Sequence, residues 1–154
     1  MDRLSENFTY DEFVHSQTAD NLGIDNVPTE DQLENGRMVC DFILEPVRVY
    51  VGRSITPMSF FRCEELNIAV GGSGPSQHKE GEAVDFRVIG VDTLKLARWM
   101  VDNLDFDQLI LEHYKGGSTG WIHCSFLEGL DGKVNRNKVN TKIKGQPYLE
   151  GLIK

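Results

Sequence analysis

The chain has 154 residues, of which 40% are hydrophobic and 26% are charged, a composition ordinary for a globular protein that forms a core without disulfide bonds. Its formal net charge of −8 leaves no basic surface for nucleic acid and disfavours attraction to anionic surfaces. Cys40, Cys63 and Cys124 are an odd number of cysteines at unrelated spacings, so they indicate neither a disulfide framework nor a zinc knuckle and fit a reducing compartment.

The N-terminal segment, MDRLSENFTYDEF, is acidic and polar and contains no apolar core of a signal peptide. No apolar run in the chain approaches membrane-spanning length. We therefore expect a protein that is synthesised in the cytoplasm without a signal peptide and does not insert into membranes. No internal repeat or linker interrupts the sequence, so residues 1–154 are predicted to form a single domain.

The first third of the chain is predicted to be helical. In FTYDEFVHS, Thr9 followed by Glu12 has the pattern of a capping box, which begins a short helix. The loop NLGIDNVP is predicted to follow. In TEDQLENGRMVCDFILEPVRVYVG, Thr29 is the predicted cap of a long helix that ends at Gly52, and Pro46 should kink this helix or split it in two.

Most of the remaining chain is predicted to form strands. ITPMSFF, EAVDFRVI, DQLILEHY and GWIHCSF are short and rich in β-branched or aromatic residues, and KGGST should join the last two as a hairpin. One further helix, capped by Asp92, is predicted at VDTLKLARWMVDNL. Helices first and strands later predict an α+β fold with a mainly antiparallel sheet. Residues 134–154 are basic and are predicted as either a C-terminal tail or a late strand.

The stretch SQHKEGEAVDF places candidate metal ligands on both sides of a glycine. Gly81 allows the sharp turn that would bring His78 above the strand carrying Asp85. In WIHC, alternation sends Cys124 to the face opposite His123, so this cysteine is neither a ligand nor a nucleophile. His78, Asp85 and His123 can then meet on one side of the sheet. Two imidazoles and one carboxylate, with a fourth position for water, are the ligand set of a catalytic zinc site; each residue by itself could equally be hydrogen-bonded or solvated.

Two short motifs carry a resemblance to a known family. SQHKEGEAVDF resembles the SxHxxGxAxD signature of the zinc D-alanyl-D-alanine carboxypeptidase family, which also includes phage endolysin peptidases and vancomycin-resistance dipeptidases. WIH resembles the WxH signature that supplies the family's last zinc ligand. LSENFTYDEFVHSQTADNLGIDN, LEPVRVYVG, SFFR and DQLILE resemble the small phage-associated branch, so the likeness covers roughly residues 4–126. It implies one zinc ion on His78, Asp85 and His123.

A peptidase of this kind also needs a base, because a carboxylate must take the proton of the zinc-bound water and pass it to the leaving amine. Several family members have an acid three positions before the last ligand histidine, where this chain has Gly120. Glu112, at the end of QLILE, is the predicted substitute, and the branch resembled also has a glutamate there. The alternative is a solvated carboxylate at a strand end. His113 is predicted to face the opposite side in a structural role.

Arg62 is the predicted substrate-orienting residue, because the family uses an arginine there and a guanidinium suits a carboxylate or a carbonyl. The family pattern is closer to SGYR, whereas this chain has SFFR. Ser76, Gln77 and Trp121 are predicted to line the same cleft. Ser76 could instead brace its loop, and Trp121 could instead pack in the core.

The predicted function is hydrolysis of peptide bonds in peptidoglycan stem peptides or cross-bridges by a zinc peptidase whose sheet carries a zinc cleft. The resemblance implies action at the bacterial cell wall and a phage or prophage origin. The alternative is a non-catalytic virion or wall-binding component that keeps the fold and the zinc for stability or wall binding. The glycine at position 120 and the SFFR departure leave this alternative open. The acidic charge disfavours a nucleic-acid partner.

Overall fold

The computed structural model describes residues 2–127 and 134–153; Met1, residues 128–133 and Lys154 lie outside it. Six α-helices, one π-helical turn, one 3₁₀ helix and five strands are found in the described part of the chain. The helices are α1 (Tyr10–Val14), α2 (Gln17–Leu22), α3 (Glu30–Val39), the π turn (Cys40–Leu44), α4 (Glu45–Val51), α5 (Glu64–Ala69), the 3₁₀ helix (Gln77–Glu80) and α6 (Thr93–Asn103). The strands are β1 (Ala83–Phe86), β2 (Gln108–Glu112), β3 (Trp121–Ser125), β4 (Lys138–Lys142) and β5 (Leu149–Glu150).

One sheet contains all five strands in the order β1-β3-β2-β4-β5. The β1/β3, β2/β3 and β4/β5 pairs are antiparallel, and the β2/β4 pair is parallel. The predicted α+β class with a mainly antiparallel sheet is therefore confirmed. The C-terminal segment contributes β4 and β5, and β4 covers the side of β2 that would otherwise be a sheet edge. The organisation of the whole chain as a single domain stays a prediction.

The helix caps lie where the sequence places them. The Thr9 hydroxyl accepts a hydrogen bond from the Glu12 N–H, and Glu12 completes the capping box. Thr29 forms the equivalent box with Gln32. The predicted long helix is divided before Pro46: a π turn follows α3, and Pro46 lies in the first turn of α4, where its missing N–H is tolerated.

Three local predictions were wrong or incomplete. The predicted loop NLGIDNVP begins inside α2, and α5 was not predicted at all. ITPMSFF is not a strand: only Ser59 forms a bridge, with Asp85, after which the chain leaves β1. Pro57 has no N–H to donate to a strand ladder, and Phe61 N–H donates to the carbonyl of Phe13 in α1 instead. No helix among the described residues is both long and apolar enough to cross a membrane.

The core lies on one face of the sheet. Alternate strand residues point into it and are fully buried: Val84, Phe86, Leu109, Ile122 and Cys124. Helix α6 packs against β2 and β3 on this side. The intervening strand residues face the opposite side and line an open cleft. The core therefore fixes which side chains of the sheet reach that cleft.

A cluster of three phenylalanines ties α1 to the segment before α5. The ring centroid of Phe13 lies 4.7 Å from that of Phe60 and 5.5 Å from that of Phe61. All three rings are at most 2% exposed, and a Cβ atom at Gly36 would collide with the Phe13 ring. This packing fixes the backbone immediately before Arg62.

We expect the packing of Gly151 and Ile153 against β4 to depend on the buried hydroxyl of Thr141. Thr141 is 2% exposed; its hydroxyl donates to the Gly151 carbonyl at 2.6 Å and accepts from Ile153 N–H at 2.9 Å. Thr141→Val removes both bonds and should lower the free energy of unfolding by about 1–3 kcal/mol, measured by urea denaturation. The exposed Thr56→Val is the control and should change it by less than about 0.5 kcal/mol. Equal effects of the two substitutions would contradict this role.

Candidate active site

Strand register brings two of the three predicted metal ligands together. Asp85 of β1 is the direct antiparallel partner of His123 of β3, and His123 Nδ1 lies 2.9 Å from Asp85 Oδ1. The 3₁₀ helix supplies His78, whose Nε2 lies 3.2 Å from Asp85 Oδ2. One ligand atom from each of the three residues lies within 4.8 Å of the others. Around a tetrahedral zinc ion, neighbouring ligand atoms are about 3.3 Å apart, so the cluster has the right size.

The turn at Gly81 directs His78 to this position. Gly81 has a φ of 74°, which is left-handed backbone, and a Cβ atom there would collide with the carbonyl oxygen of Gln32. The Arg62 N–H donates to the His78 carbonyl at 3.1 Å and holds the 3₁₀ helix against the neighbouring segment. Any other residue at position 81 would move the helix that carries His78.

His78 has the hydrogen-bonding pattern of a metal ligand. Its Nδ1 lies 2.7 Å from the Phe60 carbonyl, which can only accept, so Nδ1 carries the proton and Nε2 has a lone pair. Burial lowers the pKa of His78, which keeps the imidazole neutral. Nε2 is buried without a hydrogen-bond partner, and the carboxylate beside it has no proton to give. A lone pair and a carboxylate oxygen placed side by side are suited to bind a cation.

Asp85 is the charged member of the cluster. Burial by itself raises the pKa of Asp85, but its contacts with His78 and His123 outweigh burial and hold this pKa well below its usual range. The side chain is only 11% exposed. A buried carboxylate facing two imidazoles suits a divalent cation better than it suits water. The residues present therefore fit the zinc ion that the sequence predicts.

Glu112 lies at the end of β2 beside this cluster. It is paired in register with Trp121, whose Nε1–H donates to Glu112 Oε2 at 2.8 Å. Burial raises the pKa of Glu112, and the negative charge of Asp85 raises it further. Glu112, Trp121 and the three candidate ligands line one cleft of about 820 Å³. Glu112 is thus a half-buried cleft carboxylate and not a fully solvated one.

The glycine at position 120 is required by the hairpin. Gly120 has a φ of 65°, and a Cβ atom there would collide with the Glu112 carbonyl oxygen and lie 2.7 Å from the Tyr114 nitrogen. An acidic side chain cannot occupy this position without moving the backbone that carries Glu112. The departure from the family pattern therefore has a steric reason in this hairpin.

The prediction that His113 faces the side opposite to the cleft was wrong. Its φ is 54°, so the strand alternation breaks immediately after Glu112 and the His113 side chain turns into the cleft. Its ring centroid lies 5.0 Å from that of Trp121. The sequence contains no signal for this change, because left-handed backbone at a histidine is set by the hairpin and not by local preference.

Arg62 is anchored at the edge of the cleft. Its Nε–H donates to Ser59 Oγ at 3.0 Å, Nη1 donates to Asn67 Oδ1 at 3.3 Å, and Nη2 lies 3.5 Å from Asp85 Oδ2. Asn67, which the sequence did not single out, is 1% exposed and also donates to the Ser73 carbonyl. A Cβ atom at Gly72 would collide with Asn67 Oδ1, so the GGSG loop leaves room for the amide that positions Arg62.

The other predicted cleft residues have distinct contacts. Ser76 Oγ accepts from the His78 N–H at 3.3 Å, so Ser76 braces the ligand loop as well as lining the cleft. Gln77 Nε2 donates to Asp107 Oδ2 at 2.9 Å. Trp121 is half-buried and faces the cleft, not the core. Cys124 is fully buried on the far side, and burial raises the pKa of its thiol.

Two imidazoles, one carboxylate and an adjacent half-buried glutamate in an open cleft are the side chains of a metal-dependent hydrolase site. Residues 6–125 match the family model of Peptidase M15, and the chain belongs to this family of zinc-dependent peptidases. The match confirms the resemblance to the zinc D-alanyl-D-alanine carboxypeptidases. A comparison with curated proteins finds no match.

We expect the protein to bind one zinc ion per chain. His123→Ala should weaken zinc binding by more than about 100-fold, because loss of a ligand exceeds the 10–100-fold effect of supporting residues. The measurement is a zinc titration against a competing chelator. His15→Ala, at an exposed histidine at the end of α1, is the control and should bind zinc as the wild type does. Unchanged zinc affinity in His123→Ala would exclude this ligand set.

We also expect Gly120→Asp to destabilise the fold. The left-handed backbone alone costs about 1–3 kcal/mol for a non-glycine residue, and the collision with the Glu112 carbonyl adds about 1–3 kcal/mol. Gly117→Asp is the matched control, since Gly117 has a φ of 56° but nothing within 4 Å of its Cβ position. Urea unfolding should show the larger loss for Gly120→Asp. Equal losses would mean that the contact with Glu112 is unimportant.

Proposed function

We propose that the protein is a zinc-dependent peptidase that hydrolyses bonds in peptidoglycan stem peptides or cross-bridges. The observation that carries the proposal is the juxtaposition, in one cleft, of the His78–Asp85–His123 cluster, the half-buried carboxylate of Glu112 and the anchored guanidinium of Arg62. Metal, base and substrate-orienting group are the three parts that a zinc peptidase uses to hydrolyse a peptide bond.

His78, Asp85 and His123 would hold the zinc ion. When bound, zinc supplies Lewis acidity, which polarises a carbonyl group and makes water nucleophilic near neutral pH. The Phe60 carbonyl fixes the tautomer and ring orientation of His78, and the β1/β3 register fixes Asp85 against His123. The protein therefore presents these ligands in a preset arrangement.

Glu112 would take the proton of the attacking water and return it to the departing amine. Burial raises the pKa of Glu112, which makes its carboxylate a stronger proton acceptor. The Trp121 indole holds one carboxylate oxygen, Oε2, and leaves Oε1 for the proton. A carboxylate in a fixed orientation beside the metal site is suited to both proton transfers.

Arg62 would orient the substrate. Ser59 and Asn67 hold its guanidinium at the cleft edge, and its side chain is only 17% exposed. A guanidinium held in this way meets a carboxylate or a carbonyl oxygen with little loss of side-chain freedom. Gln77 and Trp121 line the same cleft and would contact the peptide on other sides.

Peptidoglycan is the substrate favoured by two considerations. The family includes zinc D-alanyl-D-alanine carboxypeptidases, and the sequence resembles the phage-associated branch that contains endolysin peptidases. The cleft also combines two arginines, Arg62 and Arg136, with a site for a divalent cation, although the chain as a whole has a charge of −8. Such a cleft suits peptides that carry free carboxylates. The place of action would be the bacterial cell wall, with a role in phage lysis.

Digestion of purified peptidoglycan by the zinc-loaded protein, with mass spectrometry of the released fragments, tests this function. The wild type should release fragments cut at one type of stem-peptide or cross-bridge bond. Glu112→Gln should release them at least about 100-fold more slowly while still binding zinc, because only the base is lost. Glu6→Gln, which makes the same change at an exposed glutamate, should match the wild type.

Two other results would change the conclusion. One zinc ion per chain without cleavage of any peptidoglycan would favour the non-catalytic wall-binding or virion component. Full activity of Glu112→Gln would keep the peptidase but remove Glu112 from the reaction.

A further inference from the structure

The C-terminal segment supplies part of the cleft wall. The family match ends at residue 125, yet Arg136 and Tyr148, which lie beyond it, line the same cleft as Glu112 and the candidate zinc ligands. Arg136 lies two residues before β4, which pairs with β2, and Tyr148 lies directly before β5, which pairs with β4. This wall is thus built from chain that the family model does not include.

Arg136 is held in one orientation by a buried carboxylate. Its Nε–H and Nη2–H donate to the two oxygens of Asp107 at 2.9 Å each, and its backbone N–H donates to Asp107 Oδ1 at 3.2 Å. The Asp107 side chain is 1% exposed and also accepts from Gln77, the neighbour of the candidate ligand His78. Arg136 is therefore connected to the metal site through a rigid network.

The outer edge of the Arg136 guanidinium makes no hydrogen bond to the described part of the chain. Two of its five N–H groups donate to Asp107, and the other three have no acceptor among residues 2–127 and 134–153. The side chain is 54% exposed and faces the cleft. A planar edge of free N–H donors matches the two oxygens of a carboxylate.

The register shows which part of a substrate Arg136 would meet. Ile110 is level with His123, whereas Lys138 at the start of β4 is level with Gln108. The start of β4 is therefore two residues, or about 7 Å of strand, from the level of His123, and Arg136 precedes that start by two residues in the chain. A group bound by Arg136 would belong to a residue of the peptide other than the two that flank the scissile bond.

We propose that Arg136 is a specificity-determining residue that binds a second carboxylate of the peptide substrate, carried by a residue away from the scissile bond. This inference rests on the proposed peptidase function and deepens it. Arg62 and Arg136 would then hold two different parts of one substrate. Peptides that carry a carboxamide in place of this carboxylate would bind less well.

The test uses two synthetic stem peptides that differ only in a free carboxylate or a carboxamide on a residue away from the scissile bond. The zinc-loaded wild type should cleave the carboxylate form with a kcat/KM about 10- to 100-fold higher, the value of a hydrogen bond between charged groups. Arg136→Gln should remove this preference mainly through KM. Arg136→Lys should keep part of it, since the charge remains and the paired donors are lost.

Arg98→Gln makes the same charge change on the exposed face of α6 and should keep the full preference. Cleavage of both peptides by the wild type with equal kcat/KM would overturn the inference and leave the peptidase standing. If Arg136 had a purely structural role, Arg136→Gln would lower kcat/KM equally for both peptides.

Failure of the wild type to cleave either peptide would instead count against the proposed function. In that case, calorimetric titration of both peptides into the zinc-loaded wild type and Arg136→Gln decides the inference separately. Tighter binding of the carboxylate form that disappears in Arg136→Gln would support it, and equal binding of the two forms would overturn it.

Discussion

The buried carboxylate of Asp85 is the group around which the structure is arranged. Its backbone pairs with Ser59 on one side and with His123 on the other, and its side chain contacts both candidate imidazoles and Arg62. An unpaired carboxylate in such a place would be costly, because the interior solvates charge poorly. The segment with Ser59, the 3₁₀ helix with His78 and strand β3 with His123 therefore all contact the residue that carries this negative charge.

Contacts within the protein also orient the candidate ligand His78. His78 is oriented by the Phe60 carbonyl, and the phenylalanine cluster fixes Phe60 itself. The lone pair of His78 Nε2 is left in contact with a carboxylate oxygen, which is unfavourable without a cation. Zinc bound to these ligands would also stabilise the fold, because part of the free energy of metal binding is free energy of folding.

Features governed by neighbouring residues could be predicted from the sequence. The capping boxes at Thr9 and Thr29 and the turn at Gly81 all depend on contacts within a few residues. The shared face of Asp85 and His123 follows from strand alternation once both segments are recognised as strands. The predicted orientation of His113 was wrong because strand alternation ends at this residue, where the hairpin imposes left-handed backbone.

The sequence by itself therefore determined the fold class, the helix starts at Thr9, Thr29 and Asp92 and the set of candidate metal ligands, because periodicity, capping and motif spacing are local properties. Only the tertiary structure decided that Gly120 is required by the nearby Glu112 carbonyl and that Asn67 supports Arg62. It also decided that Arg136 reaches the cleft through Asp107. Some of these contacts join residues that are far apart in the chain, and others depend on the exact path of a turn. Local sequence preferences do not determine either kind of contact.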